Sequence, residues 1–142
     1  MDEQELFEKL SRCKHLKYKF FGVFAADNFP VQLRKDSFVI INASCSYTAG
    51  SHWLLFLNRS GEHFFVDPLG ESLEQYDIIY RRILKKHSSI IQIARGISIQ
   101  HQSSNLCGLY CVCLAHLLFK GQKLEYVLVN DYQLRLFANH MC

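Results

Sequence analysis

The spacing of apolar residues changes period along this chain, and each change marks an element. Between residues 3 and 13, Leu6, Phe7, Leu10 and Cys13 recur at helical spacing, which predicts an amphipathic helix with those four residues inward. The stretch from Tyr18 to Phe29 is rich in aromatics but has no clean period, so it reads as irregular chain up to Pro30. Ser37–Asn42 is a run of apolar residues between polar ends and reads as a strand. A polar loop over 43–51 follows. His52–Leu57 and Glu62–Asp67 then read as two strands joined through Asn58-Arg59-Ser60-Gly61, and Pro68-Leu69-Gly70 stops the second.

The second half is more helical. Leu73, Tyr76, Ile79, Tyr80, Ile83 and Leu84 form the apolar face of a helix predicted over 73–86. Ile90–Ala94 and Ile97–Gln100 are two short β-rich runs. Cys107–Phe119 is apolar nearly all round, which predicts a buried helix, and Gly121 is its stop signal. Residues 124–142 predict one more helix against the surface.

The hairpin has a chemical consequence. If Leu57 faces Glu62 across the turn, His52 lies directly opposite Asp67, and directly opposed residues have Cβ atoms about 5 Å apart. An acid beside a histidine orients the ring and fixes its tautomer. Cys107 stands at the start of the predicted buried helix, where unsatisfied amides and the helix dipole favour a thiolate. Cys107, His52 and Asp67 can therefore fill the roles of nucleophile, base and orienter. A side-chain amide near the loop before Cys107 would help hold an oxyanion. Gln100 and Gln102 are equal candidates by spacing.

Composition narrows the classes. The chain has 142 residues, 49% hydrophobic and 20% charged, which suits a single domain over 1–142 with a genuine core. The longest apolar run, Leu109–Phe119, is too short to span a bilayer. The acidic start lacks the order of a signal peptide, so a reducing, intracellular setting and no secretion are expected. The six cysteines, at 13, 45, 107, 111, 113 and 142, include no closely spaced metal-ligand pairs. Neither a zinc site nor a disulfide framework is expected, and all but Cys107 read as buried small hydrophobes. The net charge of +3 is too small to announce nucleic-acid binding. It is clustered, however, at Lys14/Lys17/Lys19 and at Arg81/Arg82/Lys85/Lys86.

Taken in order, His-Trp on a strand, Asp-Pro-x-Gly after its partner, then Gln and Cys-Gly, this pattern resembles the adenovirus proteases and, more distantly, the SUMO-specific proteases. Glu3-Gln4-Glu5-Leu6 and Phe21-Gly22-Val23-Phe24 through Asn28-Phe29-Pro30 resemble the opening segments of the adenovirus family. Thr48-Ala49-Gly50-Ser51-His52-Trp53, Phe65-Val66-Asp67-Pro68-Leu69-Gly70 and Cys107-Gly108-Leu109-Tyr110-Cys111 are similar to its histidine, acid and nucleophile motifs. The family's oxyanion glutamine lies seven residues before its cysteine, so the resemblance selects Gln100. Leu106 stands where SUMO-specific proteases carry an acid, which argues against that branch.

The resemblance implies an α+β fold, with a mixed central sheet packed against a buried nucleophile helix, like the core of papain in permuted order. It implies a monomeric cysteine endopeptidase with catalytic residues Cys107, His52, Asp67 and Gln100. Its substrates would be capsid and core precursor proteins of a virus or transposon, cut after small residues such as Gly, in the host nucleus and the virion. No cofactor is needed for the chemistry. DNA and a short peptide serve the family as activators, and the resemblance extends both to this chain. The peptide is tethered through a cysteine upstream of the glutamine, whereas His87–Ile99 holds none, which argues against a covalent tether here. Two other readings are a protease that removes ubiquitin-like modifiers and an inactive protease-like module serving as a scaffold or DNA-binding subunit.

Overall fold

A computed structural model describes residues 3–44, 52–93 and 107–121. Within them, helix α1 (Glu3–Arg12) leads to strands β1 (Phe20–Ala25) and β2 (Ser37–Asn42). The hairpin β3 (Trp53–Arg59) and β4 (Glu62–Val66) follows, then a short 3-10 turn (Leu73–Gln75), helix α2 (Asp77–Leu84), strand β5 (Ile91–Ile93) and helix α3 (Cys107–Phe119). The strands form one sheet in sequential order, with β1/β2 and β4/β5 parallel and the two inner pairings antiparallel. The fold is thus the expected α+β arrangement around a mixed sheet.

Both faces of the sheet are covered, which explains why β2 and β3 read as continuous apolar runs without alternation. Phe38, Ile40, Leu55, Leu57, Phe64 and Val66 point to α1 and α3. Val39, Ile41, Leu54, Phe56 and Phe65 point the other way, to Phe29, Leu33, Leu73, Ile79 and Ile83. The segment after β1 is stitched to this second layer by polar contacts. Asn58 Nδ2 donates to the Leu33 carbonyl at 2.9 Å, and His87 Nε2 donates to the Val31 carbonyl at 2.6 Å.

Helix α3 is the buried spine. Leu109 through Leu118 are buried on every side, as an all-round apolar helix requires. It is tied to β3 at two points. Cys111 Sγ donates to the Trp53 carbonyl at 3.5 Å, and Arg59 Nη1 donates to the Leu118 carbonyl at 2.7 Å. The start of the strand therefore meets the early part of the helix, and the end of the strand meets the helix C-terminus. Gly108 lets α1 close on α3, because a Cβ there would lie 3.0 Å from both methyl carbons of Leu6.

Four expectations need correction. Residues 20–25 form a strand, not irregular chain, and a register shift between Phe20 and Gly22 is what breaks its alternation. Phe7 is not inward but 52% exposed, because α1 buries only the Leu6–Leu10–Cys13 stripe. The helix expected over 73–86 is split into a 3-10 turn and α2, and Leu84 at its end is 51% exposed. Cys13 is buried but disulfide-bonded, so it is more than a small hydrophobe. The strand expected at 97–100 and the helix expected over 124–142 lie outside the described residues.

Candidate active site

The β3–β4 turn sets the geometry of the site. It is a two-residue turn in which Ser60 and Gly61 both have positive φ, 54° and 94°, the conformation that matches the twist of a hairpin. The Asn58 side chain accepts from the Gly61 N–H, and Asp36 accepts from the Ser60 N–H, each at 2.9 Å. Arg59, rather than Leu57, consequently faces Glu62, and the ladder ends at the Leu55–Val66 pair. The expected register is corrected by two residues. An even shift keeps every side chain on its face, because strand side chains alternate with period two. His52 and Asp67 thus remain neighbours, but as diagonal partners just beyond the last rung.

They do meet. His52 Nε2 lies 2.7 Å from Asp67 Oδ1, with the Asp67 side chain fully buried and that of His52 14% exposed. Burying a carboxylate requires that its oxygens be satisfied. Asp67 Oδ1 also accepts the Leu69 N–H at 2.9 Å, closing an Asx turn, and the Gly70 N–H reaches the Asp67 carbonyl at 2.8 Å. The Asp-Pro-x-Gly order therefore fixes the acid locally. Oδ2 accepts the Tyr76 hydroxyl at 2.5 Å. Tyr76 stands where the 3-10 turn hands over to α2, and its ring packs on Phe65, 6.2 Å between centroids. Burial, the hydrogen bond to Asp67 and the charges of Asp67 and Glu71 push its phenol above the usual range, so it stays a donor.

Cys107 is the first residue of α3. One helical turn later, Cys111 touches the carbonyl of Trp53, the neighbour of His52. A turn advances about 5.4 Å, so the helix start is brought to the same end of β3 as the imidazole. The side chain of Cys107 lies outside the described residues, as do Gln100 and Gln102. Cys111 and Cys113 are buried thiols outside any disulfide, and burial pushes the Cys113 thiol up to about 12. Among the described residues, no three His, Cys, Asp or Glu side chains converge as a metal site.

In the sequence Tyr76 reads as part of the apolar face of a helix, and nothing in its spacing signals the hydrogen bond to Asp67. Only the return of that helix onto β4 could disclose it. The second basic cluster is partly absorbed by the fold: Arg81 pairs with Asp77, and the Arg82 guanidinium lies 4.5 Å over the Phe29 ring.

Comparison with known proteins decides the family. The profile of the adenovirus endoprotease matches residues 20–130. The chain belongs to the adenovirus endoprotease family. It is 34% identical over 109 residues to the protease of frog adenovirus 1, covering 67% of this chain and 52% of that relative. It is 31% identical over 133 residues to the protease of bovine adenovirus 4, covering 83% of this chain and 65% of the relative. The chain thus spans between half and two thirds of the length of these curated relatives. Among solved structures, the ASFV pS273R protease superimposes with a TM-score of 0.58 at 15% identity, covering 99% of this chain and 66% of that one, which is a likeness of fold. Among the described residues, no helix is long and apolar enough to cross a membrane.

Proposed function

We propose that this chain is a cysteine endopeptidase in which Cys107 is the nucleophile, His52 the general base, Asp67 the orienting acid and Gln100 an oxyanion donor. The observation that carries the reading is the 2.7 Å contact of His52 Nε2 with the fully buried Asp67 carboxylate. Because Nε2 donates to Asp67, Nδ1 is the nitrogen that takes the Cys107 proton. The thiolate attacks the scissile carbonyl, and the oxyanion is held by the Cys107 N–H and the Gln100 amide. The imidazolium then protonates the leaving amine. Water, activated by His52, hydrolyses the thioester and restores the thiol.

The substrates proposed are capsid and core precursor proteins cut after Gly, in keeping with the viral relatives. DNA is proposed as a non-covalent activator, held electrostatically by Lys14, Lys17, Lys19, Lys85 and Lys86. Its binding should weaken steeply with salt, as phosphate contacts do. A peptide activator, if used, would bind without a disulfide tether.

The test is hydrolysis of a fluorogenic peptide ending in Gly, with and without DNA, by wild type and Cys107→Ala. Turnover is expected in wild type and none in the variant. Turnover by Cys107→Ala, or alkylation of Cys107 by iodoacetamide no faster than of Cys111 or Cys113, would sink the reading. A ubiquitin-like protein ending in Gly-Gly, assayed alongside, distinguishes a deconjugating enzyme.

A further inference from the structure

Resting on the cysteine-peptidase reading above, we infer that Tyr76 is a positioning residue that makes helix α2 part of the catalytic machinery, by holding the second oxygen of Asp67 so that the first stays aimed at His52. The carboxylate is fully buried and its two oxygens are used unequally. Oδ1 accepts both His52 Nε2–H and the Leu69 N–H, whereas Oδ2 accepts the Tyr76 hydroxyl at 2.5 Å. Rotation about Cβ–Cγ would carry Oδ1 out of line with the imidazole. The Tyr76 bond opposes that rotation from the other side of the carboxylate.

The phenol is itself fixed. Its ring lies against Phe65, which shares a sheet face with Asp67 two residues on, and it packs on the core layer containing Ile79 and Ile83 of α2. The orientation of the acid is thus set by tertiary packing as well as by the local Asx turn. The phenol resists ionisation because it is buried beside a carboxylate, so it keeps donating wherever the imidazole titrates. Without it, Oδ2 would be a buried acceptor lacking its hydroxyl donor, which favours turning of the carboxylate away from His52.

Tyr76→Phe keeps the ring and its packing and removes only the donor. Two measurements on the full chain test the role. The first is solvent exchange of the His52 Nε2 proton, followed by NMR, which needs no substrate. The second is kcat and KM on a Gly-ended reporter peptide. In Tyr76→Phe the exchange should speed up at least tenfold, and kcat should fall about tenfold with KM changed less than twofold, the size expected for one lost buried hydrogen bond. A merely structural tyrosine would leave exchange and kcat as they are, because the ring remains. Unchanged exchange overturns the proposal, and so does unchanged kcat in an active wild type. If wild type hydrolyses no peptide, the peptidase reading fails, and the exchange measurement alone then decides whether Tyr76 orients Asp67.

Discussion

Acidification should unfold this protein earlier than a chain of its composition would suggest, and His63 is the reason. His63 lies on β4, 7% exposed, with its ring 4.1 Å from that of His87. Its Nε2 accepts the Leu33 N–H at 3.4 Å, a role open only to the neutral ring. Burial, and secondarily the neighbouring His87, lower its pKa from 6.5 to about 4. A folded pKa below the unfolded one means that the unfolded chain binds more protons between the two values. The neutral ring's contribution is therefore complete above about pH 6.5 and is lost as pH falls towards 4. At about 1.4 kcal/mol per pKa unit, allowing for some hydration at the ring edge, the loss is roughly 2–3 kcal/mol. Guanidinium unfolding between pH 7.5 and 4, followed by the fluorescence of Trp53, the single tryptophan, measures it. Other groups titrate in the same range, including His116, whose pKa is lowered by burial, Lys120 and His15. The decisive quantity is thus the difference between wild type and His63→Gln, which keeps an acceptor for Leu33 and cannot titrate. That difference should change by about 2–3 kcal/mol across the range. Parallel curves, agreeing within about 0.5 kcal/mol at every pH, would refute the reasoning.

Four further outcomes follow from the packing and the site. Gly108→Ala should lower stability by roughly 1 kcal/mol, since overpacking against Leu6 outweighs the gain in helix propensity, and a higher urea midpoint would contradict the close approach. His52→Ala should reduce peptide hydrolysis by roughly 10²–10⁴-fold, and Asp67→Asn by less because the acid only orients. Equal activity of wild type and Asp67→Asn would remove Asp67 from the mechanism. Cys113, whose thiol is pushed up to about 12, should stay unlabelled by iodoacetamide in the folded protein at pH 8, as mass mapping of the modified chain would reveal.

Much of the architecture is legible because its signals are local. The 13-residue run from Cys107 to Phe119, apolar but for His116, is longer than a typical buried strand and so reads as a buried helix, and α3 has those bounds. The β2 and β3 runs announce strands covered on both faces. Strand β1 was not legible, because Gly22 shifts the register and the pairing with β2 is decided across a long connection. The hairpin register differs from the expected one by two residues, since turn length depends on whether Ser60 and Gly61 adopt positive φ. His52 and Asp67 still meet, because an even slip changes no face.

The sequence by itself determined which residues could do chemistry: a histidine and an acid near the ends of paired strands, and a cysteine opening a buried helix. It also placed the Asp-Pro-x-Gly turn, whose Asx bond is made by residues two apart. Only the tertiary structure decided how the acid is held. Tyr76 sits nine residues past Asp67 and looks like any inward residue of an amphipathic helix until that helix folds back over β4. The same holds for His63 and His87, whose contact joins a strand to the segment after α2. Side-chain period records which way a residue faces. What it meets there depends on how separate elements are docked, and no periodicity encodes that.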